Sequence, residues 1–154
     1  MSTYFDPDFY LPLVKDLIED EGRRREPYDD ATGQPIRAPK GHVTIGVGRN
    51  LEAKPLSDDI IYALLREDIH DAYHDCLAIY GEGFEDLDDV RKRALVNMSF
   101  NLGRTTLLKF KRFNEAVKKR DWDTAAKNAL ESKWATQVKG RSHRIAYRIR
   151  SGNG

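Results

Sequence analysis

The sequence predicts an α+β protein of two lobes, a small lobe holding a β-sheet and an all-helical lobe, joined by a long helix. Three observations lead there. A turn-rich stretch from Pro27 to Gly48 encloses one short alternating run; a long apolar stripe at helical spacing follows; and everything after Leu87 reads as helix. The 154 residues suffice for one domain, 1–154, divided at about 12–55, 56–81 and 82–154.

The first helix is expected from about Pro12 to Glu21. Leu13, Val14, Leu17 and Ile18 form its apolar face, and Gly22 stands where a C-terminal cap belongs. Asp29, Asp30, Gly33, Pro35, Pro39 and Gly41 then break the chain. Within that stretch Val43-Thr44-Ile45-Gly46-Val47 alternates like a half-buried strand, with Val43, Ile45 and Val47 on one side, in a small antiparallel sheet. Ser57 suits the N-cap of the connecting helix, whose stripe runs Ile60, Ile61, Leu64, Leu65, Ile69, Ala72, Tyr73, Cys76 and Tyr80 before Gly81. Helices follow over about 89–102, 106–119, 121–131, 133–138 and 141–150.

Composition narrows the function. No run approaches the roughly 18 apolar residues of a membrane span, so no membrane insertion is expected. The first 22 residues lack a basic region followed by an apolar one, as a secretory signal requires, which implies a cytoplasmic start. Cys76 has no disulfide partner and sits on an apolar helical face, as a buried structural thiol would. The net charge of +1 conceals a split. Residues 1–90 hold 9 Lys/Arg against 21 Asp/Glu, or −12, and residues 91–154 hold 17 against 4, or +13. A basic second half suits an anionic polymer, either nucleic acid or a carboxylate-bearing cell wall.

Glu21 is the leading catalytic candidate. It follows Leu17 by four and Ile18 by three, which places it on the apolar face, whereas Glu19 and Asp20 point elsewhere. It also ends the helix, where the dipole disfavours a carboxylate by about 0.3–1 kcal/mol. Both effects favour the protonated form that a general acid needs. Nine residues on, Asp30 lies in a polar turn that suits an ionised carboxylate, and Thr44 offers a hydroxyl from the strand beyond. Two carboxyl groups in unlike settings are what glycosidases place about a scissile bond.

Several other signals point to structure. His70 and His74 lie four apart on a helix, but the string lacks the glutamate of a zinc-protease motif and a third ligand, so no metal and no cofactor is expected. Gly46-x-Gly48 is a lone pair of glycines that does not make a phosphate cradle. Trp122, Trp134, Phe110 and Phe113 recur at helical intervals, as core residues do.

Asp20-Glu21-Gly22, Tyr28-x-Asp30 and Thr44-Ile45-Gly46-Val47-Gly48 resemble the lysozymes of T-even phages and their relatives, glycoside hydrolase family 24. Arg91-Lys92-Arg93-Ala94-Leu95-Val96-Asn97-Met98-x-Phe100-Asn101-x-Gly103 resembles the helix behind that family's cleft. Asp121-Trp122-Asp123-x-Ala125-Ala126 and Ser132-Lys133-Trp134 follow in order, so the likeness runs from about Leu13 to Arg150. It implies a lysozyme-like fold and an endolysin that hydrolyses the β-1,4 bonds of peptidoglycan, acting as a monomer and released by a separate holin-like protein. By the same resemblance Glu21 is the acid, Asp30 and Thr44 direct the water, Phe100 and Asn128 contact glycan, and Asn50 and Phe113 fill contact positions with substituted types.

The chain departs from that pattern in three places. Thirteen residues separate Asp30 from Thr44, more than in the T-even enzymes; Arg49 replaces a histidine; and the segment from Leu51 to Leu56 is too short for the helix expected there. Rival readings explain less. A nucleic-acid-binding domain shows none of the usual signatures, a non-catalytic wall-binding module leaves the Glu21, Asp30 and Thr44 set idle, and a lytic transglycosylase needs only the one carboxyl acid.

Overall fold

In the computed structural model, residues 5–36 and 41–154 are described; Pro39, expected as a chain breaker, lies outside them. Helix α1 spans Pro7–Glu21, five residues longer at its start than expected. Asp6 caps it by accepting the Asp8 N–H at 2.9 Å, and Pro7 supplies the fixed φ of a first turn. Pro12 therefore sits inside the helix. Its missing N–H is tolerated because Phe9, Leu13 and Leu17 anchor that face in the core. α1, expected to belong with the small lobe, packs instead against the helical body.

The small lobe is slighter than expected. Strands β1 (Thr44–Ile45) and β2 (Arg49–Asn50) pair antiparallel, Thr44 with Asn50 and Ile45 with Arg49. A strand through 43–47 does not form, because the chain reverses at Gly46-Val47-Gly48. Both glycines take positive φ, 60° and 64°, which a side chain would resist, and Val47 is left fully exposed. Arg49 braces the following turn by donating to Lys54 O at 3.1 Å and Pro55 O at 2.8 Å. No helix forms between Leu51 and Leu56.

α2 (Asp58–Tyr80) starts at Ser57 and stops at Gly81, as expected. Its stripe is buried only from Ile69 onward; Ile60 and Leu64 stay exposed, where α2 runs out beyond the helical core. Cys76 is fully buried and burial pushes its thiol up, the setting of an inert structural cysteine. After a 3₁₀ turn (Glu82–Phe84), α3 (Asp89–Leu102) forms the centre of the body, with Ala94 to Ser99 all buried. The expected helix over 106–119 is two helices, α4 (Arg104–Leu108) and α5 (Lys111–Lys118). Buried Asn114 accounts for the break: its Nδ2 donates to Leu107 O at 2.8 Å, and its Oδ1 accepts from Tyr80 at 2.8 Å. α6 (Trp122–Leu130), α7 (Lys133–Val138) and α8 (Gly140–Ser151) complete the body close to their expected bounds.

Both tryptophans serve this packing. Trp134 is buried and donates to Asn101 Oδ1 at 2.7 Å. Trp122 lies under the Arg91 guanidinium, which also caps α8 through Ile149 O and Arg150 O.

Candidate active site

Glu21 is the last residue of α1, held there by the Gly22 N–H closing on Ile18 O at 2.9 Å. The residue lines two grooves. One, of about 200 Å³, is mostly apolar and is lined by Leu17, Ile18, Leu65, Asp68 and Phe100. The other, of about 430 Å³, is polar and is lined by Asp20, Asn101, Gln137, Arg141 and Arg144. An acid with an apolar shelf on one side and amide groups on the other can meet a sugar ring through its face and its hydroxyls.

The setting of Glu21 differs from the apolar face expected of it. Its side chain is 38% exposed, and Oε1 accepts from Arg141 Nη1 at 2.7 Å. The buried acid is Asp20, 3% exposed, which was expected to point away. Asp20 Oδ2 accepts from Asn97 Nδ2 at 2.9 Å, Asn97 Oδ1 accepts from Arg141 Nε at 3.0 Å, and Arg144 pairs with the other Asp20 oxygen. Beside them Arg148 grips Asp16 with both terminal nitrogens, at 2.9 and 3.0 Å. Arg141, Arg144 and Arg148 thus lie along one face of α8, opposite Asp16, Asp20 and Glu21 of α1.

Sequence reasoning missed this cluster, although the signal was present: arginines at i, i+3 and i+7 on the last helix, and acids at i, i+4 and i+5 on the first. Part of the charge split is therefore spent inside the molecule. Arg141, only 6% exposed, ties the carboxylate of Glu21 to the central helix through Asn97. Such a fork fixes direction as well as charge.

The remaining expected residues divide. Phe100 joins Glu21 in the apolar groove. Asp30 is exposed in the turn closed by the Tyr28–Pro35 bridge, and Thr44 is exposed on β1, its hydroxyl donating to His42 O at 3.0 Å. Among the described residues no hydrogen bond or ion pair joins Glu21, Asp30 and Thr44 to one another, and neither Asp30 nor Thr44 lines either of these two grooves. Asn50 spends its side-chain oxygen on the Glu52 and Ala53 N–H groups. Asn128, on α6, donates to Thr124 O at 2.8 Å and lines neither groove. Phe113 is 1% exposed against Phe110, so the core reading of this ring holds and the glycan-contact reading does not.

A helical body with a hairpin lobe, and a carboxylic acid at the end of its first helix lining two grooves, is the frame of a lysozyme-type glycoside hydrolase. The phage lysozyme profile matches residues 19–150, and the chain belongs to that family. Among similar proteins, a probable T4-type lysozyme of Dictyostelium discoideum is 27% identical over 90% of this chain and 94% of its own length. A second from the same organism is 27% identical over 86% and 90%. The pre-baseplate central spike protein of Enterobacteria phage T4 is 26% identical over 93% of this chain, which spans 28% of that longer protein.

Proposed function

We propose that the protein hydrolyses the β-1,4 bonds between N-acetylmuramic acid and N-acetylglucosamine in bacterial peptidoglycan, with inversion at the anomeric carbon. The observation that carries this is Glu21 at the end of α1, lining the two grooves and oriented by Arg141. Glu21 gives its proton to the glycosidic oxygen as the bond to the anomeric carbon breaks. A water held by Asp30 and Thr44 attacks that carbon from the opposite face, and Asp30 takes the water's proton. Phe100 supports the ring in the apolar groove.

Inverting chemistry leaves about 6.5–9.5 Å between the two carboxyl groups for the attacking water, so it needs no direct bond between Glu21 and Asp30. In the cell, we place the enzyme in the host cytoplasm until a separate membrane-permeabilising protein admits it to the wall, as the family likeness suggests. Among the described residues no helix is long and apolar enough to cross a membrane.

Inversion is read by proton NMR of fresh product from a β-linked glycan. The α-anomer should appear first; early β-anomer, or a glycosyl ester trapped on Asp30, would overturn the mechanism. Thr44→Val should lower kcat by about tenfold or more and leave KM within about threefold, because a water ligand acts mainly in the transition state. Equal changes in both constants would remove that role.

Exposed Lys111, Arg112, Lys118, Lys119, Lys133 and Lys139 leave the helical body basic toward an anionic wall. Activity on intact walls should therefore fall with salt, as screening shortens to about 8 Å near 0.15 M. Short uncharged oligosaccharides should be affected less, and identical salt curves would exclude a steering role for these residues.

A further inference from the structure

The histidines of α2 do something that their sequence context did not announce. His70 and His74 lie one helical turn apart, and their Nε2 atoms are 3.0 Å from each other, with ring centroids at 4.3 Å. Two imidazole nitrogens bound to one ion at about 2.0–2.1 Å stand about 2.9 Å apart when cis at a right angle, and about 3.3–3.4 Å apart in a tetrahedron. The two rings now share a hydrogen bond at that distance, and the same spacing fits the right-angled arrangement once an ion displaces the shared proton. Tetragonal sites of nitrogen and oxygen ligands suit Cu²⁺ or Ni²⁺, and affinity for such ligands peaks at Cu²⁺.

We infer that His70 and His74 form a two-histidine site for a divalent transition metal of tetragonal preference, with solvent completing its coordination. Several features support it. The Asp71 carboxylate lies 3.9 Å from His70 Nδ1, too far for a hydrogen bond but close enough to favour a cation bound at the pair. Glu67, Asp68, Asp71 and Asp75 crowd the same stretch of helix and make it attractive to a cation. The rings are also held in place, since Phe5 packs against His70 at 6.4 Å and Tyr73 meets His74 edge-on at 6.5 Å. His74 is exposed and His70 is partly so, which leaves a path for the ion. The pair lines neither groove beside Glu21, so this site is separate from the glycosidase chemistry.

A bound ion would clamp one turn of the connecting helix and raise the unfolding temperature by mass action. The test is calorimetric titration of the whole chain with Cu²⁺ and with Ni²⁺, paired with electron paramagnetic resonance of the copper form. One equivalent should bind, with nitrogen hyperfine structure from two imidazoles. His70→Gln and His74→Gln should each weaken binding about tenfold or more, whereas His143→Gln should leave it unchanged. Both tested side chains reach the surface, and far-UV circular dichroism confirms that each variant is folded. Copper binding that survives either substitution, or the absence of a site in the parent chain, would mean that the two rings share only a hydrogen bond and would overturn the inference.

Discussion

Replacing Glu21 by glutamine should abolish wall clearing, with a loss of about 100-fold or more, while the protein stays folded. General acids contribute about 10²–10⁴ in rate, and glutamine has no proton of suitable acidity to give. Stability should change little, by about 1 kcal/mol at most, because the exposed half of an ion pair is worth little. The new amide oxygen can still accept from Arg141 Nη1, and Asp20 still faces the guanidinium. Turbidity clearing and thermal unfolding read the two effects separately. Retention of more than about a tenth of the activity would remove Glu21 from the role of acid.

Replacing Arg141 by methionine should instead cost both stability and activity. Arg141 is nearly buried and serves Glu21, Asn97 and Asp20 together. Without it Asp20, 3% exposed, keeps only Arg144 and the Asn97 amide. Removing one partner of a buried pair costs about 3–5 kcal/mol, since the other charge remains in a low-dielectric site. At this chain length each kcal/mol moves the Tm by about 2–4 °C, so a fall of about 6–20 °C is expected. Activity measured well below the new Tm should also drop, because the Glu21 carboxylate has lost its guide. A variant with parental Tm would show that the packing of α1 and α8 on α3 holds them without this ion cluster.

These two results bear on how far the sequence could be read. The place of Glu21 at a helix end was legible because a carboxylate before a glycine is local information, and so were the capped helices from Ser57 to Gly81 and from Asp89 to Leu102. Features that depend on distant partners were not. The place of Asp20 on one helix puts it off the apolar face, and only the docking of α1 and α8 on α3 makes its burial possible, by bringing Arg141 and Arg144 to it. Phe113 was ambiguous for the same reason: its family position suggested a glycan contact, its helical interval suggested core, and the break between α4 and α5 turns it inward. The hairpin was misread because Ile45 and Val47 alternate with Thr44 and Gly46 as a strand would, yet two glycines at positive φ reverse the chain between them. Pro12 misled the start of α1 because a proline so placed more often opens a helix than sits within one.

The central claim is hydrolytic cleavage on the reducing side of N-acetylmuramic acid with Glu21 as the acid. Mass spectrometry of the soluble fragments released from purified peptidoglycan tests it most directly. The account predicts fragments ending in a reducing N-acetylmuramic acid that carries the added water, absent when the Glu21→Gln variant is used. Fragments ending in 1,6-anhydro-muramic acid, fragments ending in reducing N-acetylglucosamine, or the same release by the variant would contradict it.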